Sequence, residues 1–216
     1  QNWTPNLDLF NSIVVGNLAT SDGGGLDFRS GELRLSSCTV AENAGTPGGG
    51  LACTRTSAMS KIRIINSIIW GNSGGAILDE VDGDPDFRIM ASCVEGGAPW
   101  PGEGNIGSDP LFVQPGTWDD GGTPDDTGDD AWTAGDYHLH ASSPCVDAGT
   151  REDTVIDPSY PEVPAADFDG ISRPQGEAVD MGAYELPVPI NAPPVADAGE
   201  NIQIASADQL ETIVEG

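Results

Sequence analysis

Residues 66–72 read NSIIWGN, and the chain has already used this phrase twice, as NSIVVGN at 11–17 and SCTVAEN at 37–43. Each copy runs from a small polar residue through a β-branched, mostly apolar stretch to an Asn, and then to glycines and an aliphatic residue. The closing Asn recurs in steps of 26 and 29 residues. A period in the twenties, built from strand-like pieces and glycine turns, predicts a repeat architecture.

One period holds three short strands, as a coil of a right-handed parallel β-helix does. In the third repeat, 61–65 alternates polar and apolar residues, 68–70 is a second strand and 76–78 a third. A helix is excluded because apolar residues never recur at three- and four-residue spacing. The alternative is an all-β sandwich, since Asn beside Gly is also common in hairpins, but sandwiches do not repeat one phrase at one spacing. We therefore expect an all-β chain forming a right-handed parallel β-helix.

Stacked coils place like side chains in columns. An Asn can hydrogen-bond to its copy on the next coil, and the glycines allow positive φ at a tight corner. An Arg column three residues before the first corner predicts a solvated outer face. The predicted columns are Ile13, Cys38 and Ile68; Leu26, Leu51 and Ile77; Asn17, Asn43 and Asn72; and Arg34, Arg63 and Arg88.

The charge balance limits the partners. With 35 acidic and 8 basic residues, the formal net charge is −27 at pH 7. This charge argues against nucleic acid and anionic membranes and favours cations. No stretch approaches twenty apolar residues, so membrane insertion is not expected. The sequence starts at Gln1 without a signal peptide, and we expect a mature protein or a cut fragment.

Four cysteines without a Cys-x-x-Cys pair do not suggest zinc, and in an extracellular setting they predict two disulfides. Cys93 occupies the register of Ile68 one coil later, and Cys145 lies in the next set of strands. Cys93–Cys145 is therefore the preferred bridge, and Cys38–Cys53, within one coil, is the weaker one. The alternative is four buried thiols that act as small apolar side chains.

Composition divides the chain into four parts. Residues 1–150 carry the coils, interrupted by an acidic, glycine-rich surface loop at 117–130. Residues 151–187 are expected to form a C-terminal cap, because the last coil otherwise exposes apolar surface and strand edges. A proline-rich linker follows at 188–194. Residues 195–216 are expected to be part of a further module or an extended tail that donates a strand.

Acidic residues on glycine-containing loops predict calcium as a structural ion, because Ca²⁺ takes six to eight oxygen ligands. The alternative is a hydrated loop without metal. His138 and His140, two residues apart on one strand, are another metal candidate. The candidate calcium ligands are Asp119, Asp120, Asp125, Asp126, Asp129 and Asp130 in the acidic loop and Asp167 and Asp169 in the cap, with a further acidic cluster at 82–86.

Further motifs follow NSIIWGN in a fixed order: SCVEGG (92–97), NIGSDPLFV (105–113), DYHLHASSPCVDAG (136–149) and DFDGISRPQGEAVDMGAYE (167–185). Together they resemble the end of secreted bacterial pectin-lyase-like proteins with β-helix repeats, the part often called a choice-of-anchor Q domain. The resemblance covers roughly residues 10–186. It implies an extracellular or cell-surface location and no single activity. PPVADAGENIQI (193–204) resembles the opening of a PKD-like or cadherin-like immunoglobulin-type domain.

Four charged residues match the closing pattern of that family: Asp169, Arg173, Asp180 and Glu185. We expect Arg173 to hold one of these carboxylates through two hydrogen bonds and so to pin the final turn. The predicted role of the group is structural.

Two functions from different classes fit the sequence. The first is a non-catalytic structural or adhesive module that associates with its own copies or with surface proteins, end to end or through its tail. It is favoured because the Arg column lacks a cluster of acids on its face, which lyase chemistry needs. The alternative is a polysaccharide-active lyase or glycosidase, or a carbohydrate-binding fragment. Trp118 and Trp132, which bracket the acidic loop, would then stack on sugar rings or contact a partner.

Overall fold

The computed structural model describes residues 6–53, 61–79, 87–96, 98–123, 128–151 and 162–187, and these contain strands and no helix. The chain is all-β and most of its strands pair in parallel. The strands are β1 (Asn6–Phe10), β2 (Ile13–Val15), β3 (Leu26–Phe28), β4 (Glu32–Ser36), β5 (Thr39–Ala41), β6 (Leu51–Cys53), β7 (Lys61–Ile65), β8 (Ile68–Trp70), β9 (Ile77–Asp79), β10 (Phe87–Met90), β11 (Cys93–Val94), β12 (Phe112–Gln114), β13 (Thr117–Asp119), β14 (Ala131–Thr133) and β15 (Asp136–Leu139).

The first sheet pairs every third strand, in the order β1-β4-β7-β10, and all its pairs are parallel. Leu35 stands opposite Leu9 on one side and Ile64 on the other. Because successive side chains of a strand point to opposite faces, these residues lie on one face of the sheet. Leu35 and Ile64 are fully buried there. The alternation seen in 61–65 therefore marks the face that lies in the core, while Arg63 and Ile65 on the opposite face are buried as well.

Two further parallel sheets follow the same rule, with the orders β2-β5-β8-β11 and β3-β6-β9. In the smaller one, Leu26, Leu51 and Ile77 share a row, as the sequence predicts. In the other, Ile13 and Ile68 stand opposite Thr39 and not Cys38, so that predicted column is wrong by one residue. Cys38 instead follows the positive-φ corner residue Ser37, and its backbone N–H donates to the Ser67 hydroxyl.

The asparagine column is present and is tightly bonded. Asn17 donates both its backbone N–H and its Nδ2 to Oδ1 of Asn43, at 3.0 and 2.8 Å. Asn43 donates in the same way to Oδ1 of Asn72, at 3.0 Å each. Asn43 is fully buried and Asn72 nearly so. Gly50 approaches this column so closely that a Cβ there would lie 2.8 Å from the Asn72 amide nitrogen. Close packing against the column therefore favours glycine at position 50.

Two apolar clusters bury the second sheet on both faces. The inner cluster joins the inward residues of all three parallel sheets, among them Leu35, Val40 and Leu51. The outer cluster packs residues of the second sheet, including Ile68, against the later part of the chain. Its buried members are Ala41, Ile68, Cys93, Phe112, Tyr137, Leu139, Cys145 and Met181. The outer face of the second sheet is thus a protein core.

The two ends of the parallel sheets differ. Leu7 pairs with the fully buried Leu33 but is itself 42 % exposed, because among the described residues β1 pairs only with β4. At the other end, the segment 98–106 covers the last strands: Trp100 stacks on Phe87 with ring centroids 5.9 Å apart, and Ile106 forms a bridge with Cys93. The described residues therefore leave the inner core open at β1 and cover it beside β10.

The later part of the chain adds two antiparallel pairs, β12–β15 and β13–β14. The second is a hairpin at the ends of the predicted acidic loop, so 117–130 carries more structure than the sequence indicates. Residues 162–187 run beside the corners between the first and second sheets: Gly182 N–H donates to the Asn66 carbonyl and Ala183 N–H to the Thr39 hydroxyl. The cap stays a prediction. The linker at 188–194 and the tail at 195–216 lie outside the described residues.

Candidate functional site

The two tryptophans that bracket the acidic loop lie together on the protein. Trp118 and Trp132 stand opposite each other in the β13–β14 hairpin, with ring centroids 5.2 Å apart. Trp118 donates its indole N–H to the Glu42 carbonyl at 3.2 Å. Trp132 lies on Gly16, where a Cβ would be 2.2 Å from its ring. Both rings are half-buried, so each keeps an accessible part while the pair fastens the hairpin to the turns after β2 and β5.

Replacing Gly16 with alanine tests this packing. Gly16 has φ +64°, and the new methyl group would also collide with Trp132. We expect a loss of about 2–4 kcal/mol in the free energy of unfolding, from left-handed backbone strain and hairpin displacement. Urea unfolding followed by tryptophan fluorescence measures it.

Gly122→Ala is the matched control, since Gly122 has φ +80° and the described residues place no atom within 4 Å of the added Cβ. It should cost only the backbone strain, about 1–2 kcal/mol. Equal losses for the two variants would contradict the contact between Trp132 and Gly16.

Two carboxylates meet at Gly71, and one of them belongs to Glu42, whose backbone carbonyl accepts the Trp118 N–H. Glu95 Oε2 accepts the Gly71 N–H at 2.9 Å. Glu42 Oε1 also reaches Gly71, and it lies 2.4 Å from the position that a Cβ on Gly71 would take. Burial and the charge of Glu95 raise the pKa of Glu42 to about 7. One site thus holds two carboxyl groups, of which one has a pKa near neutral and belongs to the residue whose backbone carbonyl accepts the Trp118 N–H.

The pKa of Glu42 predicts a pH-dependent stability. The folded chain holds this proton more tightly than the unfolded chain, whose Glu titrates near 4.5. Stability therefore rises as pH falls from above 7 towards 4.5. Glu42→Gln, a neutral mimic of the protonated form, should stabilise the chain at pH 8 and reduce this slope. The midpoints of thermal unfolding at pH 5, 6, 7 and 8 report it.

Part of the slope should persist in Glu42→Gln, because burial also raises the pKa of Asp180 to about 6. Asp120→Asn removes one negative charge on the exposed hairpin turn and is the control. The expectation for Glu42 fails if both variants keep the slope of the parent chain.

The predicted calcium ligands serve other contacts where the structure describes them. Asp119 and Asp120 accept backbone N–H groups of their own turn, and Asp129 accepts the Thr123 hydroxyl. Asp167 accepts three backbone N–H groups, from Asp169, Ile171 and Glu185. Asp125, Asp126 and the cluster at 82–86 lie outside the described residues. Within the described ranges no group of three or more His, Cys, Asp or Glu is placed to hold a metal, and calcium stays a prediction.

The two histidines of the other metal candidate have separate partners. His138 contacts Asp136 through Nδ1 at 2.6 Å and Asp169 through Nε2 at 3.0 Å. Burial alone would lower the pKa of His138, but these carboxylates outweigh it and raise the pKa. Its ring stacks on Tyr184 with centroids 3.8 Å apart. The imidazole therefore joins β15 to the segment 162–187, while His140 contacts the Ser142 hydroxyl.

The arginine column is aligned, but only in part solvated. Arg63 stands opposite Arg34 on one side and Arg88 on the other. Arg34 forms a bidentate ion pair with Asp8, in which both hydrogen bonds are 2.6 Å long. Arg63 is 3 % exposed, which the predicted solvated face does not anticipate. The structure thus supplies one acid, Asp8, to this row.

The closing charged residues form a buried network. Arg173 Nη1 donates to Glu185 Oε2 at 2.9 Å and to the Asp180 carbonyl at 3.1 Å, and Nη2 donates to the Gly182 carbonyl. The side chains of Arg173 and Glu185 are 0 % and 1 % exposed. Asp180 accepts the N–H groups of Asp147 and Leu186. Each of these contacts joins one turn between residues 147 and 186 to another turn of the same segment.

All four cysteines are free thiols and are buried. Cys38 donates to the Leu9 and Ser36 carbonyls, and Cys53 lies in the inner cluster. Cys93 and Cys145 lie in the outer cluster, where the Cys93 thiol donates to the Ser108 carbonyl at 3.2 Å. The preferred pair of the sequence thus shares one buried cluster, and both disulfides stay predictions.

Sequence reasoning did not find Glu42 and Glu95. The sequence did contain one signal, because Glu42 takes the place that a glycine holds in the other two phrases, at Gly16 and Gly71. Its φ of 56° keeps the left-handed turn of those glycines. A carboxylate in place of a turn glycine marks a position worth testing.

Comparison with known proteins gives no relative: no family model, no curated protein and no solved structure matches the chain. Within the part that the structure describes, there is no helix with the length and apolar character to cross a membrane.

Proposed function

We propose that the parallel sheets are the faces of a right-handed parallel β-helix and that the chain is a non-catalytic extracellular structural module. The order of strands supports the first part, because each sheet takes every third strand and β1–β3, β4–β6 and β7–β9 fall into successive coils. The asparagine column, bonded across these three sets, supports it further.

The observation that carries the structural role is the buried outer face of the second sheet. A lyase of this architecture would need its acids and its base on an open strand face. Here Ala41, Ile68 and Cys93 of that sheet lie beneath apolar side chains of the chain's own later part. On the first sheet, Arg34 is paired with Asp8 and Arg63 is buried. The outer face of the second sheet is therefore closed by packing, and the arginine row of the first sheet has its one acid held in an ion pair.

A second candidate function, a polysaccharide-active or carbohydrate-binding module, rests on Glu42 and Glu95 beside Trp118. Glycosidases use two carboxyl groups of which one keeps its proton at working pH, and aromatic rings stack on sugars. The raised pKa of Glu42 fits the proton donor of such a pair. The half-buried Trp rings, however, are engaged with Gly16 and the Glu42 carbonyl.

One experiment separates the two functions. The full chain is incubated with acidic and neutral polysaccharides, with and without calcium, and both unsaturated products and new reducing ends are measured. Our proposal expects the same background for the parent chain and for Glu42→Gln/Glu95→Gln. Turnover that the double variant loses would overturn it in favour of the glycosidase.

We further propose that the partner is a second copy, which contacts the chain through the open first strands. Leu7 and Phe10 lie in β1 and are 42 % and 41 % exposed. Among the described residues no strand pairs with the second edge of β1, and such an edge pairs readily with another strand. The charge of −27 opposes this contact, so association should increase with salt. Sedimentation velocity at low and high salt tests it: dimers at high salt support the contact, and monomers under both conditions contradict it.

A further inference from the structure

Two thiols meet in the cluster that joins the parallel sheets to the later part of the chain. Cys93 and Cys145 both belong to the outer cluster, and they lie close enough for Cys145 to raise the pKa of Cys93. The Cys93 thiol itself donates to the Ser108 carbonyl at 3.2 Å. Both cysteines are 0 % exposed. Their backbones are fixed independently: Cys93 pairs with Ile68 in the second sheet, and the Cys145 carbonyl accepts the Met181 N–H. The contact therefore bridges two parts of the fold that are 52 residues apart in sequence.

We propose that Cys93 and Cys145 are oxidised to a disulfide while the chain folds, and that this bond holds the segment after β15 to the end of the second sheet. The oxidant is a disulfide compound of the glutathione type or a dithiol oxidase. A thiolate of one cysteine attacks its S–S bond, and the second cysteine displaces the mixed disulfide. Overall, one S–S bond forms between Cys93 and Cys145, the oxidant's S–S bond breaks, and both protons pass to its two thiols. This proposal rests on the extracellular location given under the proposed function, but the refolding test below supplies its own oxidant and can therefore fail independently of that function.

The burial of Cys93 and Cys145 determines at which stage of folding they are oxidised. The attacking species is the thiolate, which is favoured by exposure and disfavoured by an apolar site. The neighbouring Cys145 thiol and burial both raise the pKa of Cys93 in the folded chain. Oxidation is therefore fast in the open chain and slow once the outer cluster has closed. The same burial then protects the bond from reductants.

The other two cysteines supply a matched control. Cys38 and Cys53 are equally buried in the inner cluster, but the Cys38 thiol bonds to the Leu9 and Ser36 carbonyls. Three chains are compared: the parent, Cys93→Ala/Cys145→Ala and Cys38→Ala/Cys53→Ala. Each is unfolded, reduced and then refolded with a mixture of reduced and oxidised glutathione. Intact mass, thiol titration in denaturant and peptide mapping are the readouts.

We expect the parent and Cys38→Ala/Cys53→Ala to lose about 2 Da, the mass of the two hydrogens removed, and Cys93→Ala/Cys145→Ala to lose none. The parent should retain two titratable thiols and give one linked peptide pair that contains Cys93 and Cys145. Adding a reductant in mild denaturant should lower its melting temperature by roughly 5–10 °C and leave that of Cys93→Ala/Cys145→Ala unchanged. Four titratable thiols in the refolded parent, or a linked pair that includes Cys38 or Cys53, would overturn the proposal. If a double variant fails to refold, the peptide map of the parent alone decides between these outcomes.

Discussion

Arg173→Ala is expected to lower the free energy of unfolding by about 3–5 kcal/mol, because it leaves a buried carboxylate without its partner. Glu185 is 1 % exposed in this pair, and it accepts from Arg173 at 2.9 Å. The substitution also frees the carbonyls of Asp180 and Gly182, both of which accept from the guanidinium. Losses of this kind add to the cost because buried acceptors lose their donors.

Differential scanning calorimetry at pH 7 measures the effect, which for a chain of this length corresponds to a fall of roughly 10 °C in melting temperature. Arg173→Lys should recover only a part, since an ammonium group cannot reproduce the planar set of bonds to Glu185 and the two carbonyls. Arg29→Ala is the control, because Arg29 pairs with Asp27 on the surface with 63 % of its side chain exposed. A variant of Arg173 as stable as that control would refute the structural role of the network.

Asn43→Ala is the second large effect, with an expected loss of about 3–5 kcal/mol. Asn43 sits in the middle of the column: it accepts from Asn17 and donates to Asn72 and to the Val14 carbonyl. Alanine removes the side-chain partner of the Asn17 donors and of the Val14 carbonyl at a position that is fully buried, while Asn72 Oδ1 keeps only the backbone N–H of residue 43. Each buried polar group left unpaired costs about 1–3 kcal/mol, and several share this site. Equilibrium unfolding in urea gives the value.

The column itself provides the control. Asn17 lies at its exposed end and has only one neighbour in the column, Asn43. Asn17→Ala should therefore cost about 1 kcal/mol. A loss at position 43 no larger than at position 17 would indicate that the buried column contributes little to stability.

The repeated phrase predicted the strands and most of their register, because its Asn and glycine residues mark the turns that recur in every set of three strands. The rows of Leu26, Leu51 and Ile77 and of the three asparagines follow from spacing alone. The Cys38 error arose from counting apolar residues: Thr39, which is polar, holds the row of Ile13 and Ile68. A one-residue shift moves a side chain to the other face of its sheet.

The candidate site was less predictable, since long-range packing creates it. The spacing of Trp118 and Trp132 does not reveal a hairpin, because the acidic stretch between them gives no periodic apolar signal. Nor does the sequence indicate that Glu42 and Glu95 meet at Gly71, since that contact depends on neighbouring strand sets and the corner that each one turns. The buried outer face of the second sheet depends on residues such as Tyr137 and Met181, which come from distant segments.

The central claim is the parallel stacking of successive strand sets, and nuclear Overhauser contacts of the backbone in a labelled sample test it most directly. The row of Leu9, Leu35 and Ile64 should give amide-to-Hα contacts between residues 26 and 29 apart in sequence, in the slanted pattern of parallel strands. Strong Hα-to-Hα contacts between β1 and β4, the mark of directly opposed antiparallel strands, would contradict the account.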